Sequence, residues 1–226
     1  MRITEIFLSI QGESSYAGGP CVFVRTTGCN LRCAWCDTPY TSWAPEGEPR
    51  SLDAILDAVG RWPDVGHVVL TGGEPMLAPD VAELARRLRD GGARHLTIET
   101  AGTVDPPAEA DLFSISPKLG NSTPEGDWAE RHDRTRRALD VVRGLMQRGD
   151  YQLKFVVGEP ADLDEVSAWL EELGGADPAR VLLMPRARGL EELDRVRAWL
   201  PDLARERGLG VTDRLHLRLF GDARGT

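Results

Sequence analysis

The 226-residue chain has no excess of basic residues: 27 Lys and Arg stand against 36 Asp and Glu, a formal net charge of −9. A nucleic-acid-binding surface needs clustered cations, so no nucleic-acid partner is expected. The opening MRITEIFLSIQGES carries one basic residue and no long apolar core, so it does not read as a secretory signal. No run approaches the roughly eighteen apolar residues of a membrane span, and no membrane partner is expected. Internal repeats, linkers and low-complexity stretches are also lacking. Cysteine is scarce, at four residues, and three of them fall within eight positions. That crowding, without an export signal, argues against disulfides and for metal or cluster ligation in a cytoplasmic protein. The content of 41% hydrophobic and 28% charged residues is that of an ordinary globular chain. At this length a single domain over residues 1–226 is the expectation.

Short β-rich runs alternate with longer amphipathic ones. Strands are predicted at Ile6–Ile10, Cys21–Thr26, His67–Leu70, His95–Glu99, Leu112–Ile115, Gln152–Val157, Arg180–Met184 and Leu215–Leu219. Helices are predicted near Ser51–Arg61, Asp80–Asp90, Arg131–Arg148, Leu163–Leu173 and Leu190–Arg207, with Ser51 and Asp80 as N-cap or first-turn residues. Such alternation implies parallel βαβ units with right-handed crossovers. Between His95–Glu99 and Leu112–Ile115 only AGTVDPPAEAD intervenes, too short and proline-rich for a packed helix. The predicted fold is therefore α/β, a partial, trimmed TIM-like barrel of mainly parallel strands with outer helices. In such folds the loops at the carboxyl ends of strands build the site. GCNLRCAWCDT, TGGEP, ETAGT and SPK all fall there.

Within the loop at residues 28–38, Cys29, Cys33 and Cys36 offer three thiolates in a C-x3-C-x2-C triplet. A cubane iron–sulfur cluster normally takes four, so three leave one iron open for a reactive ligand. Structural zinc is the competing reading and would need a fourth ligand. Cys21 could supply it, although it sits inside a predicted strand and reads more readily as a small buried residue.

Together these strings resemble the radical S-adenosylmethionine superfamily. Adding EIFLSIQGE, VFVR and the closing LHLRLFGDARGT narrows the resemblance to the 7-carboxy-7-deazaguanine synthase family, over nearly the whole chain. The resemblance implies a [4Fe–4S] cluster, S-adenosylmethionine and Mg²⁺. It implies conversion of 6-carboxy-5,6,7,8-tetrahydropterin to 7-carboxy-7-deazaguanine, with loss of ammonia, in deazapurine (queuosine-type) biosynthesis. The reaction expected is reductive cleavage of S-adenosylmethionine to a 5′-deoxyadenosyl radical, which takes and returns a substrate hydrogen. A homodimer and a reductant such as flavodoxin are implied as well. The alternatives are an activase that installs a glycyl radical on a partner, and a non-catalytic Fe–S or zinc module.

By resemblance, Ile10, Gln11, Gly12 and Glu13 contact the pterin, as do Thr71, His216 and the terminal carboxylate of Thr226. Strand alternation places Arg25 with Cys21 and Phe23, pointing into the barrel if the valines pack outward; there the substrate carboxylate would be its partner. A surface arginine is the alternative. Trp35, Asp37, Gly72, Gly73, Glu74, Glu99, Ser116, Pro117 and Lys118 match cofactor-binding positions, and Thr38 matches a magnesium ligand. Three departures stand out: Ser14 where the family commonly has QGEG, Ala101 where it has ETNGT, and MPRARG at Met184–Gly189, which lacks an acidic residue.

Overall fold

A computed structural model describes all residues from Met1 to Thr226. One nine-stranded sheet organises it. Its strands are β1 (Arg2–Ile10), β2 (Pro20–Thr26), β3 (Glu48–Pro49), β4 (His67–Gly72), β5 (His95–Thr100), β6 (Leu112–Ile115), β7 (Tyr151–Val157), β8 (Val181–Pro185) and β9 (Gly210–Val211). From β2 through β4, β5, β6, β7 and β8 to β9 every pairing is parallel, while β1 lies antiparallel to both β2 and β3. The order β3-β1-β2-β4-β5-β6-β7-β8-β9 is open, so the trimmed barrel is as expected. No helix intervenes between β5 and β6.

Strand alternation sets the chemistry of the two faces. Val24, Val68, Leu70, Leu96, Ile98, Phe113, Ile115, Leu153 and Phe155 point outward into the main core. There they meet apolar stripes such as Val81, Leu84, Ala85 and Leu88 of a helix spanning Val81–Asp90, and Leu163, Val166 and Trp169 of another at Asp162–Leu173. Residues of opposite parity, including Thr71, Thr97, Ser114, Gln152 and Lys154, form a buried polar inner face. The core thus lies between sheet and helices, and the concave side is free for polar work. No helix is long and apolar enough to cross a membrane.

In chain order the helices are α1 (Pro39–Ser42), α2 (Leu52–Val59), α3 (Val81–Asp90), α4 (Ala129–Arg136), α5 (Leu139–Arg148), α6 (Asp162–Leu173), α7 (Leu190–Arg197), α8 (Leu200–Glu206) and α9 (Leu215–Phe220). Ser51 caps α2 by accepting from the Ala54 amide at 3.2 Å. Two predicted helices are each split. Arg137 and Ala138 leave helical geometry between α4 and α5, and Pro201 starts α8 afresh after α7.

The predicted strand Leu215–Leu219 is a correction: the segment is α9. LHLRLF alternates like a strand but contains no β-branched residue, and Leu and Arg are good helix formers. With only six residues, period alone does not decide, and only Leu217 is buried, against Ala187 and Leu193.

The segment between β1 and β2 crosses the concave face instead of turning away from it. Gln11 Nε2 donates to Glu99 of β5 at 3.2 Å, Lys154 of β7 pairs with Glu13 at 2.5 Å, and Ser15 donates twice to Gln152 of β7. Tyr16 then stacks on His67 and His95, the first residues of β4 and β5. This loop is a floor inside the half-barrel.

Candidate active site

The cluster loop, residues 28–38, follows β2 and has no regular secondary structure, so its shape comes from hydrogen bonds, many of them from its own main chain, to neighbouring segments. Leu31 is buried beneath it. The Arg32 amide donates to His132 Nδ1 at 3.0 Å, the Ala34 amide to Ser122 O at 2.9 Å, and Trp35 Nε1 to Asn121 O at 2.9 Å. The Trp43 indole donates to Cys33 O at 3.0 Å. These bonds turn Cys29, Cys33 and Cys36 toward one cavity.

No three His, Cys, Asp or Glu side chains converge as ligands to a single ion would. Three thiols spaced around a cavity suit a larger multi-iron body. Burial pushes the Cys29 thiol up to about 12 and that of Cys33 to about 11. Such thiols stay protonated beside protein alone, and a coordinated cation is what draws off their protons. The donor set therefore fits a cluster. Cys21 is fully buried against Phe23 and Val69, outside this cavity.

Glycines bring TGGEP against this loop. A Cβ on Gly73 would overlap the Gly28 carbonyl and stand 2.9 Å from Cys29 Cβ; Gly72 lies at φ +141° against Thr26. Glu74 is buried, and its carboxylate accepts from Thr100 Oγ1 and the Ala101 amide, both at 2.8 Å, and from the Met76 amide. Its side chain ties two strand-end loops together. Neither Glu74 nor the buried Pro117 reaches a cavity.

Two adjoining cavities occupy the carboxyl end of the sheet. The first is lined by the three cysteines with Trp35, Asp37, Gly72, Gly73, Glu99, Ser116 and Lys118. Lys118 Nζ donates to Ser116 O and Oγ at 2.9 and 2.8 Å and lies 5.8 Å from the Trp35 ring centroid. The second is lined by Ile10, Gln11, Gly12, Glu13, Arg25, Thr71, His216 and Thr226. Glu13, Asp37, Thr38, Thr71, Gly72, Glu99 and Arg214 belong to both. Of the residues matched to cofactor, Trp35, Gly73, Ser116 and Lys118 line the first cavity alone, and of those matched to pterin, Ile10, Gln11, Gly12, Arg25, His216 and Thr226 line the second alone.

His216, although helical, still faces the second cavity because its imidazole packs on Gly12, where any Cβ would collide with the ring. Burial lowers its pKa, against the opposing pull of Glu13, which favours the neutral ring. Arg25 already has an anion. Its Nε donates to Glu5 at 2.7 Å, a partner the sequence reading did not name. That bond leaves both Nη groups for a second carboxylate. Thr226 arrives because Arg224 of the tail stacks on Tyr40 and bonds Glu46 at 2.8 Å and Glu5 at 3.3 Å.

Sequence reasoning missed Lys154 and Arg214, both buried and both in the first cavity. Burial raises the pKa of the Glu13 carboxyl, but Lys154 and then Arg214 outweigh it and hold the group ionised well below the usual carboxylate range. A signal for Lys154 existed: Gln152 and Lys154 alternate with Leu153, Phe155 and Val157, which marks a polar inner face. Arg214 had none, because its partners Glu13 and Asp37 are remote in sequence.

The radical SAM superfamily model matches residues 23–141. The 7-carboxy-7-deazaguanine synthase of Rhodopirellula baltica is 45% identical, with all of this chain and 89% of the relative aligned. That of Halobacterium salinarum is 44% identical over 99% of this chain and 91% of the relative. This chain belongs to the 7-carboxy-7-deazaguanine synthase family. The crystal structure of QueE from Escherichia coli superposes with a TM-score of 0.75 at 25% identity, covering 95% of this chain and 94% of that one. As a radical SAM family member the chain is of a kind that carries a [4Fe–4S] cluster and S-adenosylmethionine.

Proposed function

We propose that the protein converts 6-carboxy-5,6,7,8-tetrahydropterin to 7-carboxy-7-deazaguanine with loss of ammonia. The observation that carries this reading is the pair of adjoining cavities, one ringed by three thiols and the other lined by IQGE, Arg25, His216 and the chain end. Cys29, Cys33 and Cys36 would hold the cluster. Gly72, Gly73, Glu99, Ser116, Lys118, Trp35 and Asp37 would receive S-adenosylmethionine, and the main chain of Glu74 and Pro117 would support those contacts. When bound, cluster and cofactor supply the radical chemistry that removes a hydrogen atom from the substrate and returns it.

The chain's own residues bind and orient. Glu13, held as an anion, accepts from pterin N–H groups, while Gln11 offers amide donor and acceptor. The free Nη groups of Arg25 take the substrate carboxylate. His216 and Gly12 wall the ring plane, Thr71 and Ile10 line its edge, and the Thr226 carboxylate closes the far side. Thr38, between the two cavities, offers one oxygen to Mg²⁺, whose other ligands would be substrate and water oxygens. A flavodoxin-like reductant, a homodimer and a cytoplasmic setting complete the reading.

Anaerobic reconstitution, followed by reductant, S-adenosylmethionine and the carboxytetrahydropterin, tests it. A deazapurine chromophore is expected. Cofactor cleavage without that product would refute the substrate and point to another radical reaction, such as glycyl-radical activation of a protein. A colourless, zinc-loaded protein would refute the cluster too.

A further inference from the structure

Arg214 stands in the partition between the two cavities, with its side chain 4% exposed. One end of its guanidinium bonds Asp37 of the cluster loop, and Nη1 donates to Ala187 O at 2.6 Å. Its Nε lies 3.2 Å from Glu13 Oε1, yet off the line of a hydrogen bond, so this buried donor has no acceptor. Glu13 in turn holds Lys154 at 2.5 Å. Four buried or half-buried charges, Lys154⁺, Glu13⁻, Arg214⁺ and Asp37⁻, therefore run from the floor loop to the cluster loop.

A guanidinium is a rigid planar fork, so its donors cannot be re-aimed independently. Rotating the Glu13 carboxylate toward or away from Nε shifts the plane and, with it, the bond to Asp37. Asp37 follows Cys36 directly and borders the first cavity.

We propose that Arg214 is a positioning residue that couples the cavities: a ligand engaging Glu13 seats that carboxylate on Nε and fixes Asp37 for the ligand of the first cavity. The coupling is reciprocal, because linkage makes each ligand raise the affinity for the other by the same factor. The inference rests on the function proposed above, since it takes pterin and S-adenosylmethionine as the two ligands.

Calorimetric titration of the reconstituted protein with S-adenosylmethionine, with and without saturating carboxytetrahydropterin, reads the factor directly. Wild type is expected to bind the cofactor on the order of tenfold more tightly with the pterin present. In Arg214→Lys, which keeps the charge but loses the fork, the ratio falls toward one, while iron content and the reduced-cluster EPR signal stay as in wild type. An unchanged ratio in that variant overturns the coupling. Should Arg214→Lys fail to fold, the near-isosteric Glu13→Gln, Asp37→Asn and their combination decide. If either single change lowers the ratio as far as both together, coupling through Arg214 is supported; independent, additive losses overturn it. A wild type that makes the deazapurine but shows a ratio of one loses this inference alone. A wild type that neither binds nor converts the pterin loses the function reading, and the coupling with it.

Discussion

The two cavities share a wall but are built in opposite ways. The first is made by backbone: glycines at 72 and 73 press TGGEP onto the cluster loop, and main-chain bonds from Arg32 and Ala34 set the cysteines. The second is made by charge: Glu5 with Arg25 and Arg224 holding the tail, while Glu13 and Arg214 stand in the wall that both cavities share, with Lys154 behind Glu13 on the first cavity's side. A cavity of the first kind serves a group that brings its own reactivity. One of the second kind recognises a polar ring, and it must carry buried charges in balanced pairs, since an unpaired one costs several kcal/mol.

The sharpest way to break this contrast is at the thiols. Cys33→Ala should abolish cluster incorporation, whereas Cys21→Ala, lost from a packed apolar spot, should retain the full iron complement after reconstitution. Iron loss in Cys21→Ala would refute the three-ligand site. Next in size is Lys154→Met, which strands Glu13 with Arg214 alone. Removing one partner of a buried pair predicts a loss of about 3–5 kcal/mol in chemical denaturation. A loss under about 1 kcal/mol would show that the charge chain is dispensable.

Much of the first cavity was legible because its parts are consecutive strand-end strings: the cysteine triplet, TGGEP, ETAGT and SPK. Parity along the strands also showed which face is inner, as Val24 and Phe23 bear out. The second cavity was legible only in part. Gln11 and Arg25 carried a resemblance, but the bond from Arg25 to Glu5 and the role of Arg214 depend on packing between segments far apart. The misread Leu215–Leu219 belongs here too, because so short a run of alternating leucine fits either period.

A smaller effect separates the loops by pH. His132 Nδ1 accepts the Arg32 amide, and Ser122 Oγ spends its own proton on Leu119 O, so Nε2 must carry the single imidazole proton. Burial, reinforced by Arg136, lowers its pKa to about 4. The unfolded chain binds a proton there below about 6.5 while the folded chain resists until about 4. Stability should thus fall as pH drops through that window, and the slope should be shallower in His132→Asn, followed by denaturation midpoints. An identical slope would contradict the clamp.

The smallest effect lies at Ser14, a non-glycine residue at φ +74°. The left-handed conformation costs about 1–2 kcal/mol for an L-residue. The Tyr16 amide donating to Ser14 Oγ at 3.2 Å offsets part of it. The order of unfolding free energies expected is Ser14→Gly at or slightly above wild type, with Ser14→Ala lowest by about 1 kcal/mol. Alanine matching glycine would refute a strain account of the floor.

The division of labour between the cavities is tested most directly by measuring KM for both ligands in Lys118→Ala and His216→Ala. Lys118→Ala should raise the KM for S-adenosylmethionine at least tenfold more than that for the pterin, and His216→Ala should do the reverse. Equal rises in both constants, in both variants, would contradict the account.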